Sequence, residues 1–294
     1  MIRLALCLIL LIIALVAPAS VNAALRYNWD TVLLPQDAAL PTLSSQPEQR
    51  FFDQLFRAQG IDPGSNKAQI VRVWIDRIRQ DPLITSAIPG GAQGVGRIFL
   101  DPQLREIIMT NGLVRLPAAD RLSYVALMTK FLDELVPVNC FGLTSLSDVM
   151  ARISLREMSE PDVAQYFELL SKVLVSDALN SPVILPTRAQ YASAQYHLAR
   201  ALFAQLGGDA YGMSRFESYT SNPAQATPSD ACWATRVTLH AILSMPDPDR
   251  DFILLLTIMH AIDESQTPAR DASPPVGPSP ASAQPGRAPR PTPR

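Results

Sequence analysis

Between residues 47 and 264 apolar positions return every third or fourth residue, the spacing that gathers them on one face of a helix. From Lys67 to Gln80, Ile70, Val71, Trp74 and Ile78 share such a face, while Arg72, Asp76 and Arg79 turn away from it. Arg72 and Asp76 stand four apart, the separation of a helical ion pair. Upstream, Pro47 opens a helix whose face is Phe51, Phe52, Leu55 and Phe56, and Gly60 stops it. Pro117 to Leu135 buries Leu122, Val125, Met128, Leu132 and Leu135. Thr144 to Met158 reads as one further helix.

Helix starts are well marked. Asp101 with Pro102 opens a short helix that Gly112 ends. Ser159-Glu160-Pro161-Asp162 places a capping hydroxyl, a first-turn proline and two acids where the helix dipole favours them, and Val163, Phe167, Leu170 and Leu174 follow. Thr187 caps a helix with Tyr191, Ala194, Leu198 and Leu202 on its face. Thr227-Pro228-Ser229-Asp230 opens another, through Leu243. Asp247-Pro248 opens the last, where Phe252, Ile253, Leu254, Leu255, Leu256 and Met259 are apolar nearly all round, as befits the centre of a core. Short proline-marked turns predict antiparallel neighbours. The expected fold is all-α: eight to ten amphipathic helices around one core, spanning residues 47–264.

Two stretches inside that domain lack the period. Pro89 to Arg97 is glycine-rich and predicts a mobile surface loop, with Gly90, Gly91, Gly94 and Gly96 as a candidate binding loop. It has no phosphate-loop pattern of strand, glycines, lysine and helix. Asp209 to Ala226 is polar and turn-rich.

Both ends depart from the pattern. Arg3 precedes an apolar run from Leu4 to Ala17, then Pro18 and Val21-Asn22-Ala23, the order of a secretory signal cleaved after Ala23. The run is shorter than the roughly 20 residues a membrane span needs. Residues 24–46, with Pro35 and Pro41, predict an extended arm laid over the body through Tyr27, Trp29, Leu33 and Leu34. From Ser265 nine of the last thirty residues are proline, a composition that predicts disorder over 265–294.

The leader changes how charge and cysteine are read. Of the net charge of −2, Arg3 supplies +1 and the stretch from Ser265 supplies +3, so the body carries −6. An acidic body argues against nucleic acid as partner. Cys7 leaves with the leader, so Cys140 and Cys232 remain, and an exported protein is expected to bridge them. Arginine far outnumbers lysine, which occurs only at 67, 130 and 172, and alanine and proline abound. That usage points to a bacterial gene and to the periplasm or the exterior.

Chemistry is thinly marked. Asp247, Asp249 and Asp251 alternate like the start of a calcium loop, but Phe252 and Ile258 occupy the positions of its glycine and glutamate, so these acids are expected to serve the helix start. His197, His240 and His260 lack metal-ligand companions at close spacing, and no G-x-S-x-G elbow occurs. No cofactor is expected. Glu217-Ser218 followed by Asn222-Pro223 resembles the catalytic Glu-Ser stretch of lytic transglycosylases. The resemblance covers about ten residues, carries an extra residue before Asn222 and lacks the following Gly-x-Met-Gln segment. It implies Glu217 as proton donor in a wall-acting glycosidase. The expected function is instead an exported binding or accessory protein that recognises a protein or another envelope macromolecule, with the glycosidase and a tail-tethered envelope scaffold as alternatives.

Overall fold

The structure, a computed structural model, describes residues 52–266 apart from 54, 55, 58 and 101. The leader, the arm and all but two residues of the proline-rich tail lie outside the described residues, as do Phe51, Leu55 and Asp101. After a helical stretch around Phe52 and Phe56, the chain forms α1 (Asn66–Gln80), α2 (Pro82–Ala87), α3 (Gly91–Leu100) and α4 (Pro102–Arg115). Next come α5 (Ala118–Glu134), the short α6 (Leu146–Ala151) and the long α7 (Glu160–Leu179). The last four are α8 (Arg188–Gln205), α9 (Ala210–Ser221), α10 (Pro228–Ser244) and α11 (Asp249–Gln266). Tight 3-10 turns at Cys140–Gly142 and Pro223–Gln225 interrupt the sequence, and no strand occurs among the described residues. The fold is all-α.

The starts read from sequence hold atom by atom. Ser159 Oγ accepts from the Asp162 N–H at the head of α7. Thr187 and Gln190 form a reciprocal capping box on α8. Thr227 Oγ1 accepts from the Asp230 N–H on α10. Each such contact satisfies an N–H that the first helical turn leaves free, worth about 1 kcal/mol.

Buried side chains sort into two large clusters. The first gathers Phe56, Ile78, Ile84, Ile98, Phe131 and Leu170 with their neighbours from α1–α5 and α7. The second is made by α8–α11, around Leu198, Leu202, Phe216, Ile242 and Leu254. The last helix packs on α4, α5, α8 and α10, as its all-round apolar pattern requires. α5 is the shared wall: Leu127 and Phe131 enter the first cluster, and Val125 leans on the second.

Three ties cross between the clusters. The Cys140–Cys232 disulfide is formed, with sulfurs 2.08 Å apart, and it fastens the turn after α5 to α10. Beside it, the Arg236 guanidinium donates to the carbonyls of Leu132 (2.6 Å) and Val136 (2.7 Å), the otherwise unpaired acceptors at the end of α5. Arg121, only 5% exposed, donates to the carbonyls of Leu113 and Val114 and to Asp251 Oδ1 at 2.8 Å, joining α5, α4 and α11.

Four local expectations are corrected. The glycine-rich stretch is not a loop from Gly91 on but α3, with Val95 and Ile98 fully buried. Gly91 starts it at φ +59°, and a Cβ on Gly94 would stand 2.1 Å from the Pro89 carbonyl oxygen, so the glycines serve a tight turn and a close approach. Gly112 does not end α4, which runs to Arg115; a Cβ there would lie 2.3 Å from the Val173 carbonyl oxygen, so this glycine lets α4 lie directly on α7. The helix expected over Thr144–Met158 shrinks to α6. The polar stretch after Asp209 is helical as α9. In addition, the Arg72 guanidinium reaches Asp53 at 2.6 Å, an ion pair the helical spacing did not foresee.

Candidate functional site

Asp209 starts α9 by accepting from the Gly212 N–H at 2.8 Å. One side of this helix is apolar: Phe216 and Tyr219 are buried in the second cluster, and the Phe216 ring meets Trp233 of α10 edge-on. The other side carries Tyr211, Ser214, Ser218 and Asn222, three or four residues apart and therefore in one row. This row faces Gln225 of the following turn and Asp230 of α10 across a cleft of about 440 Å³. The row spans about 16 Å at the helical rise.

The charges in the cleft are spent on each other. Arg215 Nε and Nη2 both donate to Asp230 Oδ1, at 3.0 and 2.7 Å, and the guanidinium lies 4.2 Å from the centre of the Trp233 ring. The Thr227 hydroxyl and then the Arg215 guanidinium hold the Asp230 carboxyl below its usual range. Burial pushes the Tyr219 phenol up to about 12, so it stays a neutral donor at ordinary pH. The side chains of Ser214, Ser218, Asn222 and Gln225 take no hydrogen bond from the described chain.

A second surface lies on α8. Its inner face is Ala194, Leu198 and Leu202, as the sequence predicts. Its outer face carries Ala189, Ala192, Tyr196, Ala199 and Phe203, all exposed, alternating by three and four residues. That is the spacing of a seam between paired helices. Ile184, 89% exposed, and Leu185 prolong it before the helix begins. The Phe203 ring rests against Gly208, where a Cβ would meet it at 3.3 Å, so the stripe leads into the turn that starts α9.

The remaining sequence candidates fall in different places. Ser218 and Asn222 line the cleft, but Glu217 is exposed on α9 outside it, so the acid and the two residues that share its resemblance to lytic transglycosylases are split. Asp247 pairs with Arg250, Asp249 with His197, and Asp251 with Arg121. Each acid near the start of α11 thus has its own side-chain partner. Ser193 Oγ bonds Asp249 at 3.3 Å rather than the His197 imidazole, so this trio is not arranged as a nucleophile against its base. His240 Nε2 contacts Asp133 at 2.8 Å beside Arg236, on the surface rather than in a core, and the His260 side chain lies outside the described residues. Gly90, Gly91, Gly94 and Gly96 lie in the turn and first turns of α3, apart from both surfaces. Among the described residues no cluster of three or more His, Cys, Asp or Glu side chains is placed to hold a metal, and no helix is long and apolar enough to cross a membrane.

The cleft and the α8 stripe both escape a reading of the sequence alone. The stripe had a signal, the run 189-192-196-199-203, masked by the stronger inner face on the same helix. The cleft had the polar row 211-214-218-222, masked because the stretch was read as turns, whereas its closure against Asp230 of α10 appears only in the fold. No family model, curated protein or solved structure matches this chain.

Proposed function

We propose that this protein is an exported binding protein that recognises another protein through the outer stripe of α8. The observation that carries the reading is the exposed apolar seam from Ala189 to Phe203. Solvent-facing apolar residues are ordinary when scattered, but a row extending about 21 Å along one helix supports the reading of an interaction surface. Alanines alternating with Tyr196 and Phe203 leave hollows between two rings, the relief into which an amphipathic partner helix sets its own apolar row. Export is supported by the charged, apolar and small-residue order of the leader and by a disulfide, which persists in oxidising compartments.

The test is capture from the cell envelope by the full chain, with a double variant Tyr196→Ser and Phe203→Ser as comparison. The parent is expected to retain a stoichiometric protein partner that the variant loses. The variant should melt within about 0.5 kcal/mol of the parent, since both rings are exposed. A partner held equally by both proteins would refute the assignment.

A further inference from the structure

We infer that the cleft between α9 and α10 is a second binding site, one that takes an N-acetylated, hydroxyl-rich oligosaccharide. Its charge excludes the obvious ionic ligands. Arg215 has two of its donors on Asp230 and its face on Trp233, and Asp230 receives Thr227 as well, so neither offers an uncompensated charge to an acid or an amine. What the cleft does offer is neutral. Ser214, Ser218 and the Tyr211 and Tyr219 phenols are hydroxyls, while Asn222 and Gln225 are amides. Every one of these groups both donates and accepts. Ligand hydroxyls do the same, so a sugar satisfies them in either direction, and an acetamido group pairs with the two amides as one amide pairs with another.

Shape points the same way. Tyr211 stands at the rim with 76% of its surface exposed, a flat apolar face with a polar tip suited to lie on the C–H face of a sugar ring. The row from Tyr211 to Asn222 is extended, which fits an oligomer better than a single ring. A peptide fits less well. Among the described residues there is no strand edge for it to extend.

Titration calorimetry on the full chain with chitohexaose tests the proposal. Saturable binding is expected. It should weaken about thirtyfold in Ser218→Ala/Asn222→Ala, which removes two hydrogen-bonding groups of about 1 kcal/mol each, and about tenfold in Tyr211→Ala. The α8 variant Tyr196→Ser/Phe203→Ser should bind chitohexaose as the parent does, which separates this site from the protein-binding stripe. A readout that needs no variant is hydrogen exchange, where chitohexaose should slow the amides of residues 211–226. Absence of saturable heat at millimolar chitohexaose would overturn the proposal. So would binding that the cleft variants leave unchanged, or equal binding of acetyl-hexaglycine, which would make the site a peptide site.

Discussion

The first cluster fills its interior with large side chains, Phe56, Phe131, Ile78, Ile84 and Ile98 among them, and Ala68 is its one buried alanine among the described residues. The second lines its helix contacts with Ala194, Ala231, Ala234 and Ala241. The aromatic residues follow the opposite course. In the first, Phe56, Phe131 and Phe167 are packed inward; in the second, Phe216 and Tyr219 are buried, but Tyr196, Phe203 and Tyr211 stand out in solvent. Small residues bring helices close while contributing little buried area each, so such a core needs fewer large groups. Tyr196, Phe203 and Tyr211 remain on the surface, where both candidate sites are found. Both proposed binding surfaces thus lie on the second cluster, with the first packed behind it.

The largest test of this division is the link between the halves. Opening the Cys140–Cys232 bond frees a loop of sequence separation 92, and chain entropy puts the loss at about 4–5 kcal/mol. Calorimetry with and without reductant should show the melt fall and split into two transitions, the second cluster melting first. A single unchanged transition would mean the two clusters do not need the bond to act together.

Next in size is a loss of volume in the first cluster. Phe131→Ala removes a ring that is 1% exposed and should cost about 4 kcal/mol in a denaturant melt. The second cluster should instead resist a gain of volume. Ala234→Leu should cost about 1–3 kcal/mol by pushing α10 off its neighbours. Stabilisation by Ala234→Leu would show that the alanines leave space rather than set a close contact.

The smallest effect is the response to acid. Asp162 in the first half is subject to burial, which raises its carboxyl, but the Lys130 ammonium and the Ser159 hydroxyl outweigh this and hold it below its usual range. Asp230 is held low in the second half by Thr227 and Arg215. Both folded values lie below the unfolded ones, so their stabilisation is full above about pH 4 and drains as pH falls through the folded values. Asp177, raised by burial, works in the opposite sense and blunts the profile. Melting temperature followed from about pH 6 to 2.5 should decline at the acid end, and Asp230→Asn should flatten that decline.

How much of this was legible varies with the reach of the interaction. Ser159, Thr187 and Thr227 were readable because a cap lies within three residues of its partner. The disulfide was readable because Cys140 and Cys232 are the two cysteines of the sequence outside its apolar N-terminal run. Gly94, read as a loop residue, and Gly112, read as a helix end, were misread because a glycine that frees the backbone and a glycine that lets another chain segment touch it look alike; only Pro89 and Val173, opposite them, decide. α9 was misread as turns because its polar row faces a cleft, leaving few apolar residues to mark the period. The ion pairs Arg72–Asp53 and Arg121–Asp251 span 19 and 130 residues, a distance at which sequence spacing carries no information.

All three lysines of the chain lie in the first half, and each ammonium is engaged at α7 or just ahead of it. Lys67 donates to the carbonyls of Arg156 and Met158, Lys130 to Asp162, and Lys172 on α7 to Asp120. Amine-directed labels and amine coupling to a sensor chip would therefore neutralise the fastenings of the longest helix, and every lysine carries one. Attachment through an engineered tag beyond Gln266 leaves these contacts whole and is the route by which the binding measurements should be made.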